Sequence, residues 1–199
     1  MRVILASANP GKLREFRALL EPAGLQLVAQ SLLGIESIAE TGSDFSTNAL
    51  LKARHAARRS ASWALADDSG LEVDALGGRP GIYSARFAGP GASDTRNLEK
   101  LLEEMRDVED GQRQACYRCS IVLVRGPDDP MPVIAEGTWE GRIARIPRGS
   151  GGFGYDPVFV PAGLELTAAE LEPAVKNALS HRGQALRALQ AQLGRLQSG

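Results

Sequence analysis

The chain opens on an apolar run, Val3-Ile4-Leu5-Ala6, with no polar residue after Arg2, which predicts a buried strand over Arg2 to Ala6. A turn-rich stretch, Ser7-Ala8-Asn9-Pro10-Gly11-Lys12, leads to Leu13, Phe16, Leu19 and Leu20 at helical spacing, so a helix is expected from Lys12 to Glu21. Leu25 to Ala29 alternates weakly, as a strand would, and Ser31 to Gly42 reads as loop. A second helix is expected from Phe45 to Ser60, capped by Asp44 or Ser46 and packed through Phe45, Ala49, Ala53 and Ala56. Trp63 to Ala66 reads as a buried strand that ends in Asp67-Asp68-Ser69-Gly70. Burying an unpaired charge is costly, so the aspartates are placed at the strand's end, in a turn opening into a cleft. Leu71 to Asp74 then alternates as a hairpin-like return.

Further along, Ser93 or Asp94 caps a third helix with Leu98, Leu101, Leu102 and Met105 on one face. Three strands follow, over Gln114 to Val124, Val133 to Trp139 and Gly141 to Ile146, with a Pro- and Asp-rich connection from Gly126 to Pro132. Tyr155 to Val160 is strand-like, Pro173 suits the first turn of a last helical region, and Ser180 is placed to cap a helix from Gly183 to Leu196. No repeat or linker interrupts the pattern, which reads as one α/β domain with two lobes around a cleft.

Bulk numbers narrow the class. The 199 residues suffice for a sizeable core, and 43% hydrophobic with 24% charged residues is ordinary for a globular protein. A net charge of -1 gives no basic surplus for nucleic acid, so an anionic substrate has to be met by local positive charge. The opening apolar run is too short for a signal peptide, and nothing approaches a membrane span, so a cytoplasmic protein is expected. Cys116 and Cys119 form a C-x-x-C pair, but on a strand i and i+3 face opposite sides and no second pair exists. Structural thiols therefore fit better than a redox or zinc site.

Candidate chemistry is scattered. Strand, small polar loop, then a helix with Lys12 near its start suits phosphate, since helix N-terminal amides favour anions; an ordinary connection with a surface lysine has the same letters. Asn48, Lys52, His55 and Arg59 make a largely basic stripe that faces either an anion or solvent. Gly149 to Gly154 spells G-x-G-x-x-G, but no helix opens after it, so it is not a dinucleotide fingerprint; ending in Phe153, Gly154, Tyr155 and Asp156, it suits a clasp for a flat base. His181 and Arg182 fall at a helix N-terminus.

Taken in order, Ser7 to Lys12, Glu40-Thr41-Gly42, Asn48-Ala49-Lys52-Ala53, Ala66-Asp67-Asp68-Ser69-Gly70-Leu71, Pro80 to Arg86, Gly151 to Pro157 and Ser180-His181-Arg182 resemble the inosine triphosphate pyrophosphatase family, the Ham1/RdgB-like noncanonical purine nucleotide pyrophosphatases. The likeness covers nearly the whole chain, residues 1–199. It implies a mixed, strongly twisted sheet with flanking helices in two lobes around a central cleft, and a homodimer. It implies hydrolysis of ITP, dITP and XTP to the monophosphate and pyrophosphate with Mg²⁺, and no nucleic-acid or membrane partner.

Carried over by position, the resemblance gives Ser7, Ala8, Asn9, Pro10, Gly11 and Lys12 to the triphosphate, with Lys52 reaching it from the second helix. Asp68 becomes Mg²⁺ ligand and base for water, Glu40 a second metal ligand, and Ser69 a substrate contact. Phe153 would stack on the base beside Gly154, Tyr155 and Asp156, while Lys176, His181 and Arg182 would contact the base and its 6-oxo group. Asp67 is expected to hold the turn or the metal shell. Ser7-Ala8-Asn9 stands where many relatives carry Thr-Gly-Asn, and Val175 where a Glu often precedes the lysine. The rivals are a Maf-like pyrophosphatase of other base preference and a nucleotide- or RNA-binding module without catalysis.

Overall fold

The computed structural model describes residues 2–7 and 9–197. Six strands form one mixed sheet in the order β2-β1-β3-β4-β5-β6. The strands are β1 (Arg2–Leu5), β2 (Gln26–Ala29), β3 (Ala64–Val73), β4 (Gln114–Val124), β5 (Val133–Ile143) and β6 (Phe159–Pro161). Five α-helices flank it: α1 (Pro10–Leu20), α2 (Phe45–Ser60), α3 (Asp94–Glu104), α4 (Pro173–Leu179) and α5 (His181–Gln197). β1 runs parallel to β2 and β3, whereas β5 and β6 are antiparallel.

The chain divides into two compact units. The first holds Met1–Asp68, Cys119–Gly137 and Arg182–Gly199; the second holds Ser69–Arg118 and Thr138–His181. In the first unit, side chains alternate across the pleat. Val3, Leu5, Leu65, Cys119, Ile121 and Leu123 pack with Phe16 and Leu20 of α1 and Ala185, Leu186 and Leu189 of α5. Ile4, Ala64, Ala66, Val122 and Val124 pack with Ala49, Ala53, Ala56 and Ala57 of α2. The small residues on α2 bring that helix close to the strands. The second unit is cored by Leu71, Val73, Leu98, Leu101, Met105, Tyr117, Trp139, Tyr155 and Phe159.

The N-termini of α1, α2 and α3 carry caps, while α1 begins at Pro10 and α5 at His181, each two residues before the expected Lys12 and Gly183. Asn9 caps α1, with Pro10 at its first position; Asp44 caps α2 through the Thr47 amide; Ser93 caps α3. Three expectations need correcting. Asp67-Asp68-Ser69-Gly70 is not a turn, and Leu71 to Asp74 is not a return: β3 runs straight through from Ala64 to Val73. The expected break at Glu140-Gly141 is also absent, since β5 continues to Ile143. Gly141 serves close approach there, because a Cβ would strike the Val160 carbonyl and the Phe159 ring of the paired β6. Last, Tyr155 to Val158 is turn, and strand begins only at Phe159.

Candidate active site

Both aspartates of β3 are almost fully buried, at 1% for Asp67 and 5% for Asp68, so each needs compensating charge. The pleat sends them apart. Asp67 shares the side of Leu65, towards α1 and α5; Asp68 shares the side of Ala66, towards α2. The partners follow from that parity. Asp67 takes Lys12 Nζ at 2.8 Å and Arg182 Nε at 3.4 Å, and Arg182 is held in turn by Glu15 of α1. Burial by itself would raise the Asp67 carboxyl, but Lys12 and Arg182 outweigh it and hold it well below the usual range. The two carboxylates and two cations form a chain of ion pairs, Lys12–Asp67–Arg182–Glu15, in which Asp67 is a support and no turn.

Asp68 sits in a different setting. Its Oδ1 lies 3.3 Å from Lys52 Nζ, and Glu40 Oε1 lies 2.7 Å from the same nitrogen. Burial pushes the Asp68 carboxyl up, Lys52 pulls it down and the neighbouring Glu40 pushes it up, leaving it raised. A proton acceptor needs such a basic carboxylate. Burial alone would lower the Lys52 ammonium, but Asp68, Asp67 and Glu40 together hold it up. Asn48, one turn before Lys52 and fully buried, accepts the Gly42 amide at 2.8 Å and so ties the Glu40 segment to α2. The basic stripe is therefore mixed: Asn48 and Lys52 meet the Gly42 amide, Glu40 and Asp68, while the His55 ring meets the Glu36 carbonyl.

The loop before α1 is compact. Asn9 Oδ1 accepts the Gly11 and Lys12 amides at 2.8 and 3.1 Å, and the Asn9 amide reaches Ser7 Oγ at 3.3 Å. These are helix N-terminal amides of the kind an anion would use. Ala8 lies outside the described residues.

A second constellation belongs to the second unit. Asp156, 3% exposed, accepts the Phe153 amide at 2.7 Å and Lys176 Nζ at 2.6 Å through Oδ2. The Lys176 ammonium also lies 5.0 Å from the Phe153 ring centre, a cation–π contact. Gly152 has φ +72°, and a Cβ on it would collide with the Asp156 carboxylate, so glycine is required. The Gly154 amide donates to Asp94 Oδ2 at 2.8 Å. Tyr155 faces inward, its hydroxyl on the Ser84 carbonyl at 2.8 Å. His181 stacks on Tyr117 at 4.6 Å and 9°. Ser69 is half-buried on β3.

The expected residues thus gather as two stations. Ser7, Asn9, Pro10, Gly11, Lys12, Glu40, Lys52, Asp68 and Arg182 lie in the first unit, and Ser69, Phe153, Gly154, Tyr155, Asp156, Lys176 and His181 in the second. The trio Lys176, His181 and Arg182 is divided: the Arg182 guanidinium, 2% exposed, is engaged by Asp67 and Glu15. Glu15, Asp94 and Tyr117 are not singled out as site residues by sequence, whereas Asn48 stands in the basic stripe and in the Asn48-Ala49-Lys52-Ala53 motif; Glu15, three residues after Lys12 on α1, carries a local hint. Cys116, half-buried, and Cys119, buried, are free thiols. Burial pushes Cys116 up to about 11 and Cys119 up to about 12.

A divalent ion is implied by the resemblance. The donors suit it: the carboxylate oxygens of Glu40 and Asp68 already converge on one cationic group, the Lys52 ammonium. Among the described residues no group of three or more His, Cys, Asp or Glu could hold a metal by itself. Two carboxylates completed by phosphate and water is how Mg²⁺ is commonly bound.

Residues 3–192 match the Ham1 family. A dITP/XTP pyrophosphatase of Methylococcus capsulatus is 55% identical over 198 residues, covering 100% of this chain and 98% of that protein. The dITP/XTP pyrophosphatase of Escherichia coli K12 is 55% identical over 188 residues, covering 94% and 95%. The solved structure of a HAM1 protein from Coxiella burnetii superposes with a TM-score of 0.90 at 46% identity, covering 98% of this chain and 99% of that one.

Proposed function

We infer, from the premise that the chain belongs to the Ham1 family, that it hydrolyses the α–β phosphoanhydride of noncanonical purine nucleoside triphosphates. The products are the monophosphate and pyrophosphate, and the substrates are dITP, ITP and XTP. The observation that carries this reading is the Asp68–Lys52–Glu40 constellation: a basic buried carboxylate, a phosphate-neutralising ammonium and a second carboxylate at one point. A phosphate-binding module without catalysis has no use for that pair of acids, since carboxylates repel phosphate unless a cation intervenes.

Asp68 and Glu40 would hold Mg²⁺, which when bound screens the phosphate charge and makes bound water more acidic. Asp68 accepts the proton of the attacking water. Lys52 and Lys12 neutralise triphosphate oxygens, and the α1 amides now capped by Asn9 add donors. Phe153 offers its ring face to the base. Lys176, a donor only, matches a 6-oxo acceptor and opposes a 6-amino donor, which selects deaminated purines over adenine. Arg182 supports Asp67 beside Lys12, and the resemblance gives it a contact with the base as well.

Residues 1–199 are proposed as one nucleotide-handling domain, a reading supported by the family match across both units. A cytoplasmic homodimer without nucleic-acid or membrane partners is proposed on the same resemblance; among the described residues no helix is long and apolar enough to cross a membrane. Sedimentation tests the dimer. The function is tested by pyrophosphate release from dITP, ITP, XTP, dATP, dGTP and dTTP with and without Mg²⁺. Release from the first three, dependent on Mg²⁺, is expected. No release from dITP refutes the reading, and release from dTTP alone favours a Maf-like specificity.

A further inference from the structure

We propose that Tyr117 is the positioning residue of the base-reading station, a role that rests on the function proposed above. Tyr117 lies on β4, buried in the second unit. Its ring is fixed from two sides, edge-on to Phe159 at 4.7 Å and 63° and stacked loosely with Trp139 at 6.5 Å and 23°. The same ring lies parallel to the imidazole of His181. Its hydroxyl donates to Asp156 Oδ1 at 3.4 Å, long for such a bond but directed at the carboxylate whose other oxygen holds Lys176 and the Phe153 amide.

One anchored side chain therefore meets both arms of the station. The ring orients His181, and the hydroxyl steadies the carboxylate that places the Lys176 ammonium and the stacking ring of Phe153. Aromatic pairs prefer defined geometries, so an imidazole laid on a fixed phenol ring loses rotational freedom before any ligand arrives. Preorganisation of this kind acts on affinity and discrimination more than on the bond-breaking step. Tyr117 itself has no part in the chemistry.

Two variants separate the arms. Tyr117→Phe keeps the ring and removes the tether to Asp156; Tyr117→Leu removes both. With dITP, KM is expected to rise about fivefold in Tyr117→Leu and less in Tyr117→Phe, with kcat within about twofold in each. The preference for dITP over dATP, as a ratio of kcat/KM, falls in both. Unchanged KM and preference, with only a lowered Tm, would make Tyr117 a plain core residue and overturn the proposal, as would a loss confined to kcat. A readout independent of turnover is the ring-proton resonance of His181, isolated by His55→Gln because the chain has only two histidines. It is expected to carry the Tyr117 ring-current shift in the wild type and Tyr117→Phe, and to lose it in Tyr117→Leu. The same resonance in all three overturns the positioning role. A wild-type protein silent on dITP refutes the proposed function instead, and the resonance still decides the stacking.

Discussion

In the first unit two aspartates stand side by side within a ten-residue strand; in the second, one aspartate stands in a glycine-rich loop. All three are at least 95% buried, yet they are neutralised differently. Asp67 and Asp68 inherit their direction from the strand, and each meets a different helix: α1 and α5 for one, α2 for the other. Asp156 gets its place from hydrogen bonds, the Phe153 amide and the Tyr117 hydroxyl, together with the ammonium of Lys176. A strand sets direction to within its pleat, which suits a proton acceptor that has to hold one geometry. A loop held by bonds and bare glycines leaves room beside a ring, which suits reading a flat base.

That contrast is broken hardest at Asp68. Asp68→Asn keeps the shape and removes the proposed proton acceptor, so turnover of dITP is expected to fall on the order of 10²- to 10⁴-fold while dITP binding survives. Turnover assays paired with calorimetric titration of dITP in the absence of turnover check this, and retained turnover would take the base role from Asp68. At Asp67 the loss is in stability. Asp67→Asn leaves Lys12 and Arg182 without their shared carboxylate, and a cost of about 3 kcal/mol is expected in urea unfolding at pH 7.

The pH sign for Asp67 follows from its depressed carboxyl. The contribution is fully present above the usual carboxylate range and is lost as pH falls below it towards the folded value. The gap between wild type and Asp67→Asn should therefore narrow as pH drops below about 4. A gap that widens in acid would contradict the depressed value. The smallest effect is expected at the loop station. Asp156→Asn weakens the grip on Lys176 and should raise KM for dITP about tenfold with kcat within about threefold. A kcat collapse there would erase the distinction between the stations.

Much of this was open to reading along the chain, for physical reasons. Helices α1, α2 and α3 announce themselves because apolar spacing and caps such as Asp44 and Ser93 are local signals, whereas Asn9 reads as loop until it is seen to cap α1. Ordered motifs mark the Ser7 to Lys12 loop, the acidic pair and the Phe153 loop. The course of β3 was hidden, because Asp-Asp-Ser-Gly is turn chemistry until its compensation is known. That compensation comes in part from Arg182, 115 residues along the chain from Asp67. Gly141 misled in the same way: the backbone and ring that demand a glycine there belong to β6. Tyr117 gave no signal at all, since a tyrosine in an apolar strand looks like core whatever it stacks on. Pattern reports what neighbours in sequence share; partners across the fold are invisible to it.

The parity of β3 bears on how such a site tolerates change over generations. Substitution at Ala64, Leu65 or Ala66 alters packing but leaves each carboxylate aimed at its own helix. Deletion of one residue between Trp63 and Asp67 is another matter, because it exchanges the two faces of the strand. Each aspartate would then look towards the other's lysine, with every letter of the motif still present. Reading frame within the strand is thus as much a heritable part of this site as the acids themselves, and an alignment gap of one residue here would mark lost function more surely than several mismatches.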